Sequence, residues 1–357
     1  MDGWAGGLPP AAHDRIERQR SSGVAGSLLS AAGAAAIRAV DLAPVGEVFG
    51  CVVEQLAYAG GGCGIWSSGL NIPFGGGYSA FPNGSGTATL GRSGPFGSGG
   101  FGSGPFASGP FASQPGGYVP WTSPVLTTGS DGRNAGFGSY VHAVQEAWHG
   151  ALDRMIAEAA ALGADGVVGV RIRRTRLETA THEFTATGTA VRTLDASVSP
   201  HARSARDVWA AGSTAEEVAA LIRSGWVPRG MAFGVSIATK HEDPLLKSQR
   251  SVWSGNVEIE GLTELVNAAR HDARVQLTRR AAPLNGSDIV ITGSSLGEFD
   301  TPCGEEVDLH AEATFTGTVI APGPMHAFRD HSATAAARRD VTTVIPLRDT
   351  TRGTTRR

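Results

Sequence analysis

The clearest pattern of apolar and polar positions lies in the middle of the chain and predicts a long helix that runs into a strand. Between positions 140 and 162, apolar residues recur at helical spacing: Trp148, Leu152, Met155, Ile156, Ala159 and Leu162. A stripe of about 3.6 residues per turn is typical of an amphipathic helix. Gly163 occupies the position where a left-handed residue ends a helix, and the β-branched run from Val167 to Leu177 predicts a half-buried strand.

Weaker signals predict the neighbouring elements. Residues 28–40 have the pattern of a helix, while residues 45–58 and 182–193 have that of strands. Thr214 and Glu217 form a capping box that opens a further helix, which Gly225 closes. A second long helix is predicted over residues 262–282, with strand-forming runs before and after it.

Four landmarks recur in the same order in the two halves of the chain. The first is a proline-to-glycine strand, in which Pro44, Phe49 and Gly50 recur at a constant offset as Pro228, Phe233 and Gly234. The others are the long helix, the turn after it and a closing strand, GTAV at Gly188–Val191 and GTVI at Gly317–Ile320. The order predicts two copies of one unit, although the residue-by-residue match is weak.

Between Ala59 and about Gly138 the composition becomes rich in glycine and proline. A pentapeptide repeat there places phenylalanine at intervals of five, at Phe96, Phe101, Phe106 and Phe111. Five fits neither the helical nor the strand period, and one interpretation is a disordered, flexible insertion. The alternative is a segment whose evenly spaced aromatic rings promote self-association.

These patterns predict an α+β protein with two repeated small domains, each an antiparallel sheet packed on one long helix. The expected boundaries are a disordered tail over 1–22, a first domain over 23–195 with the glycine-rich insertion at 59–138, and a linker over 196–212. A second domain follows over 213–322, and a disordered tail over 323–357.

Charge and cysteine content exclude some functions. A net charge of -3 argues against a nucleic-acid partner, because phosphate contacts need a concentrated basic face. The chain lacks a run of 18 strongly apolar residues, so we expect no membrane-spanning helix. The chain has three cysteines, Cys51, Cys63 and Cys303. An odd and small number of cysteines does not form a disulfide framework, which indicates a reducing compartment and a cytoplasmic location.

The sharpest group of chemical side chains lies on the first long helix. His142, Glu146, His149 and Asp153 are spaced by four, three and four residues, which places them on one stripe, away from the apolar face. Imidazole and carboxylate groups are ligands for zinc, nickel, cobalt or iron, so the stripe is a candidate metal site. The alternative is a solvated helix face with intrahelical pairs.

Other polar groups give weaker signals. Cys51 fits a small buried apolar residue, and Asp165 and Asp288 fit turn positions that accept backbone hydrogen bonds. A looser polar cluster near a predicted hairpin contains Cys303, Glu305, Glu306 and His310. We find neither a phosphate-binding loop nor a Ser/His/Asp nucleophile set, and assign no catalytic residue.

At three places the chain resembles the bacterial YbjQ family, whose name proposes heavy-metal binding without fixing a ligand set. These are the Pro44–Gly50 strand, the helix end AAALGADGVVGV at Ala159–Val170, and GTAV at Gly188–Val191. The resemblance implies a small α+β domain and a ring-like homo-oligomer. We therefore expect a non-enzymatic oligomeric protein that binds a ligand, with a divalent transition metal as candidate, or acts as a scaffold. The alternative is an enzyme with a site formed between copies or subunits.

Overall fold

The computed structural model describes residues 8–22, 26–56, 122–128, 137–178, 180–194, 207–251 and 255–323. Its helices are α1 (Pro10–Ser22), α2 (Ala31–Arg38), α3 (Gly138–Ala161), α4 (Ala215–Arg223), α5 (Pro244–Gln249) and α6 (Glu260–Ala281), with a 3-10 turn at Ala282–Leu284. Its strands are β1 (Leu42–Gln55), β2 (Leu126–Thr127), β3 (Gly166–Arg176), β4 (Thr181–Thr193), β5 (Trp209–Ala210), β6 (Trp226–His241), β7 (Asp288–Cys303) and β8 (Glu306–Pro322). This mixed content of helices and two sheets confirms the predicted α+β class.

The first sheet has the strand order β1–β4–β3–β5. Strand β4 runs antiparallel to β1 and β3, and the short β5 runs parallel to β3. Helix α3 crosses one face of this sheet and comes closest at Gly50. A methyl group on Gly50 would overlap the carbonyl oxygen of Ala151 and lie 2.7 Å from the amide nitrogen of Met155. Only glycine allows the helix and strand backbones to approach this closely.

The second sheet has the order β2–β6–β8–β7, and helix α6 packs against it. Here too the closest approach is at a glycine, because a methyl group on Gly234 would overlap the carbonyl oxygen of Ala273 and lie 2.8 Å from the amide nitrogen of Leu277. Strand β8 pairs antiparallel with both β6 and β7. Buried residues of β6, β8 and α6 form the core of this half.

The two halves share irregularities as well as regular elements. The register of β1 shifts between Pro44 and Gly46, and that of β6 shifts between Pro228 and Gly230. Left-handed residues follow both long helices: Gly163 with φ 71° after α3, as predicted, and Asn285 with φ 52° after α6 and the 3-10 turn.

The turn aspartates also have the predicted role. The amide of Thr193 donates to Asp165 Oδ2 at 2.8 Å, and the amide of Ile289 donates to Asp288 Oδ1 at 2.8 Å. These carboxylates therefore hold the turns after the two long helices.

The halves pack on each other through the face of the second sheet that points away from α6. Phe233 on this face contacts Trp148 of α3, with ring centroids 5.7 Å apart. Glu312 accepts a hydrogen bond from the Tyr140 hydroxyl at 2.8 Å and forms an ion pair with Arg174 at 2.9 Å. The inner face of the second sheet thus covers α3 and strand β3 of the first half.

The predicted disordered tail over 1–22 is wrong for residues 10–22, which form helix α1. Ala12 and Ile16 are buried against the first core, and Arg15 binds the buried carboxylate of Glu158 through two hydrogen bonds of 2.8 and 3.0 Å. The short charged run concealed this helix, because its apolar face covers only one turn and its main partner is distant in sequence.

Two further boundaries are corrected by short strands. Leu126–Thr127, inside the predicted insertion 59–138, pairs with β6, and Trp209–Ala210, inside the predicted linker 196–212, pairs with β3. Two-residue strands carry no readable period, so only their partners fix them. The phenylalanine repeat and residues 324–357 lie outside the described residues.

None of the helices that the structure describes is long and apolar enough to cross a membrane.

Candidate metal centre

A group of metal-binding side chains lies at one end of the second sheet, where β6 and β7 end and β8 begins. We call His241, Cys303, Glu306 and Asp308 the strand-end cluster. His241 is directly opposite Asp308, and Cys303 is directly opposite Glu306. Directly opposed residues of antiparallel strands place their side chains on the same face of the sheet. The register therefore brings four potential ligands together.

A tight turn positions the two strands of this hairpin. Gly304 and Glu305 connect β7 to β8, and Gly304 has φ 68° whereas Glu305 has no positive φ. A two-residue loop with glycine in the left-handed region at its first position fits a type II′ turn, whose twist suits a hairpin. Cys303 and Glu306 flank the turn and are held opposite each other by it.

The distances within the strand-end cluster are short. Ligand atoms of His241, Cys303 and Asp308 all lie within 4.8 Å of one another. The ring of His241 is bound on both sides, with Nδ1 2.7 Å from Asp308 Oδ1 and Nε2 2.6 Å from Glu306 Oε2. A tetrahedral ion with bonds of about 2.0–2.3 Å holds its ligands roughly 3.3–3.8 Å apart, so these atoms lie close to the spacing that one ion requires.

The two carboxylates make specific demands on the imidazole between them. An ionised carboxylate only accepts hydrogen bonds, and a neutral imidazole has a single N–H to donate. One of the two contacts of His241 therefore needs either a further proton or a bound cation. Asp308 is only 1% exposed, so its charge is poorly compensated by water.

His310, further along β8, has a different environment. Its Nδ1 lies 2.9 Å from the Thr239 hydroxyl and its Nε2 lies 2.8 Å from the Thr301 hydroxyl, while the rings of Phe137 and Phe299 pack against it. Burial lowers the pKa of His310 to about 4. Since hydroxyls both donate and accept, they satisfy a neutral imidazole fully. His310 therefore has a structural role, and its predicted grouping with Cys303 is only spatial.

The predicted stripe on α3 is less compact. His142 and Glu146 are exposed, and Nδ1 of the half-buried His149 donates to the Gln145 carbonyl oxygen at 2.7 Å. Desolvation raises the pKa of Asp153; Glu146 also raises it, and His149 opposes this. Among the described residues, the strand-end cluster supplies three ligands mutually within 4.8 Å and this stripe does not. Metal binding by the stripe stays a prediction.

Cys51 is half-buried and not fully buried as expected. Its thiol donates to Glu183 Oε1 at 3.3 Å, and Arg154 binds its backbone carbonyl oxygen. Desolvation and the hydrogen bond to Glu183 raise the pKa of Cys51 to about 11. Because thiolate is the reactive and metal-binding form, this side chain is a poor nucleophile and a poor ligand.

Cys303 differs from the sequence-based expectation. It is disulfide-bonded, and its partner lies outside the described residues. Three cysteines cannot form a framework of several disulfides, but two of them can form one bond, which the count alone did not predict.

A cavity of about 450 Å³ lies near β6, α5 and α6, on the face of the second sheet opposite the strand-end cluster. Its polar groups bind each other. Lys240 donates to the Ser123 carbonyl oxygen and lies 3.4 Å from Glu264, while Asp243 accepts from the amides of Ser123 and Leu246. These contacts tie residues 122–128 and α5 to the sheet, which is a structural task.

Sequence reasoning identified Cys303 and Glu306 but missed His241 and Asp308. A longer predicted strand β6 would have indicated both residues. Extending the predicted strand beyond Gly234 to position 241 and pairing it with the strand after the hairpin would have placed His241 beside Asp308.

Comparison with protein families gives one match. Residues 132–194 match the model of YbjQ_1, a family described as "Putative heavy-metal-binding". The matched segment includes α3, β3 and β4, and with them the stripe from His142 to Asp153; the strand-end cluster lies outside it. No curated protein and no solved structure matches the chain.

Proposed function

We propose that the protein binds a divalent transition metal ion at the strand-end cluster. One ring nitrogen of His241 and the carboxylate of Asp308 would hold the ion, and the other ring nitrogen would donate to Glu306. Metal-binding histidines usually donate their second N–H to a carboxylate, which fixes the ring and raises its basicity. The observation that carries the proposal is the His241 imidazole held between two carboxylates.

The chemistry of the cluster favours borderline ions. Imidazole and carboxylate suit zinc, nickel and cobalt, whereas calcium and magnesium prefer sites made only of oxygen. The description of the matched family also supports metal binding by this chain. We propose binding without catalysis, because the hydroxyls that contact His310 are buried with it and the Cys51 thiol beside Glu183 has a raised pKa. An enzyme with a site between copies or subunits remains the alternative.

Zinc titration of single variants tests the proposal. Replacing His241 with alanine is expected to weaken zinc binding at least about 100-fold, because loss of even an outer partner of a metal site costs 10–100-fold. His149→Ala is the matched control, since it removes a histidine from α3 and leaves the strand-end cluster unchanged. Isothermal calorimetry on the full chain gives both affinities, and circular dichroism checks the fold.

The opposite pattern has a clear meaning. If His149→Ala abolishes zinc binding and His241→Ala leaves it unchanged, the stripe on α3 is the metal site. Absence of zinc binding by the wild-type protein would contradict both sites.

We further propose that the chain contains two copies of one domain. We also propose that chains associate head to tail, because a contact seen between the two halves can recur between two chains. Within one chain, Phe233 and its sheet face cover α3 and β3. The corresponding position in the first half is Phe49, whose sheet face points away from α3 and carries Val53, 52% exposed. In the second half, helix α6 and strand β7 correspond to α3 and β3 of the first half. On this surface Ile291 is 49% exposed. The open face of one chain thus has a matching open surface on the next.

A charge placed on the open sheet face should disrupt this association. Val53→Asp is expected to convert an oligomer into monomers, because the aspartate would be buried between two chains beside Glu183, which lies directly opposite it on β4. Leu194→Asp, at the opposite end of the paired strands β1 and β4, is the matched control and should leave the mass unchanged. Multi-angle light scattering measures the mass. A monomeric wild-type protein at micromolar concentration contradicts the association, though not the internal duplication.

A further inference from the structure

The oxidation state of Cys303 has a direct consequence for the strand-end cluster. The Cys303 sulfur lies within 4.8 Å of ligand atoms of His241 and Asp308, yet it is engaged in a disulfide. Resting on the metal site proposed above, we propose that this disulfide is a redox switch: reduction creates a high-affinity site for a thiolate-binding metal ion, and oxidation removes it.

Ligand chemistry supports the switch. The thiolate is the form of cysteine that binds metals, whereas a sulfur in a disulfide carries no negative charge. In the oxidised chain the cluster offers an imidazole and two carboxylates. In the reduced chain it also offers a soft, anionic sulfur next to the buried carboxylate of Asp308. Two ligand sets that differ by one thiolate differ in affinity for zinc and cadmium far more than for magnesium or calcium.

The reaction is a thiol–disulfide exchange with a dithiol as reductant. A thiolate of the dithiol attacks one sulfur of the protein disulfide, the S–S bond breaks, and a mixed disulfide forms. The second thiol of the reagent then displaces the protein sulfur and closes its own disulfide. Two electrons and two protons pass to the protein, leaving Cys303 and its partner as thiols. Metal binding then releases the proton of the Cys303 thiol.

The position of the cluster suits a switch of this kind. Cys303 is only 5% exposed, but it is next to the Gly304–Glu305 turn at the rim of the sheet, and the side chain of Glu306 is 40% exposed. We expect reagents to approach from the turn. The strand register that holds His241 opposite Asp308 comes from the ladders of β6, β7 and β8. These ladders are backbone pairings along the whole length of the strands, so we expect the other ligands to stay in place when the disulfide breaks.

Cys51 provides an internal control. It is a free thiol in the first half, hydrogen-bonded to the carboxylate of Glu183, with a pKa raised to about 11. Its conversion to serine should not change metal binding in either oxidation state. Conversion of Cys303 to serine removes both the disulfide and the thiolate ligand while leaving the imidazole and carboxylates of the cluster.

The test is a zinc and cobalt titration of the full chain in two states, oxidised and reduced. Reduction is carried out with a dithiol that is then removed anaerobically, since free dithiols bind zinc themselves. The reduced wild-type protein is expected to bind zinc at least about 100-fold more tightly than the oxidised protein, by analogy with the cost of weakening a metal site. With cobalt, a sulfur-to-metal charge-transfer band should develop only in the reduced protein. Cys51→Ser should behave as wild type, and Cys303→Ser should bind weakly and without the band in both states.

Each other outcome identifies what is wrong. Equal zinc affinity in both states, lost in His241→Ala, overturns the switch and leaves the metal site standing. A gain on reduction that persists in Cys303→Ser also overturns the switch, because another thiol then supplies the ligand. Absence of zinc binding in both states overturns the metal site and the switch together.

Discussion

Replacing Arg15 with methionine is expected to lower the free energy of unfolding by about 3–5 kcal/mol at neutral pH, because it leaves a buried carboxylate without its charged partner. Glu158 is 0% exposed and accepts hydrogen bonds from Arg15 Nε at 3.0 Å and Nη2 at 2.8 Å. Its remaining hydrogen bond comes from the amide of Phe49 at 3.2 Å. Helix α1 would lose its ion pair with α3, and Phe49 of β1 would lose the guanidinium that stacks over its ring.

Two further variants separate the charge from the helix. Arg18→Met is the matched control, because it changes an exposed arginine on the same helix and should cost little. Arg15→Met combined with Glu158→Gln should be more stable than Arg15→Met alone, since the glutamine is neutral and still accepts from Phe49. Chemical denaturation measures all of them. A loss below about 1 kcal/mol for Arg15→Met would show that α1 is not held by this ion pair.

Replacing Gly234 with alanine is expected to cost about 3 kcal/mol or more, because the added methyl group overlaps the Ala273 carbonyl oxygen and lies 2.8 Å from the Leu277 amide. The atoms in its way belong to the backbone of α6, so no side-chain rotation relieves the overlap. Helix α6 would have to move away from the second sheet. The same change at Gly50, against α3, is expected to cost a similar amount.

Gly297 is the matched control for these variants. It lies in β7 of the same sheet, has nothing within 4 Å of its added methyl group, and has no positive φ. Alanine there should be neutral or stabilising by about 0.5–1 kcal/mol, because glycine loses more conformational entropy on folding. Thermal and urea unfolding give the comparison. Overpacking of a core costs about 1–3 kcal/mol of unfolding free energy. If the unfolding free energy of Gly234→Ala lies within about 0.5 kcal/mol of wild type, the close packing of α6 is contradicted.

Local patterns in the sequence determined the regular elements. The apolar stripe from Trp148 to Leu162 predicted helix α3, which spans Gly138–Ala161, and Gly163 ends it with φ 71°. The capping box at Thr214 is present with both of its hydrogen bonds. Periodicity, caps and glycine turns depend on residues within about four positions of each other, so they can be read without knowing the fold.

Tertiary structure alone decided the candidate metal site. His241 and Asp308 are 67 positions apart and meet only because β6 and β8 pair in a particular register. A shift of one residue would turn every side chain of β6 to the other face of the sheet. The stripe on α3 was visible because one helix places its ligands at fixed spacing, but a helix surface alone does not surround an ion.

Long-range packing also decided which segments outside the predicted elements are ordered. Helix α1 is held in the fold because Arg15 binds Glu158, which is 143 positions away in the sequence. Strand β2 is ordered because Leu126 and Thr127 pair with β6. The sequence by itself therefore determined the two long helices, the capping box of α4 and the strands that follow the long helices, since each of these is encoded in neighbouring residues. Only the tertiary structure decided which strand ends meet and which cysteine is bonded, because those contacts depend on how distant segments pack.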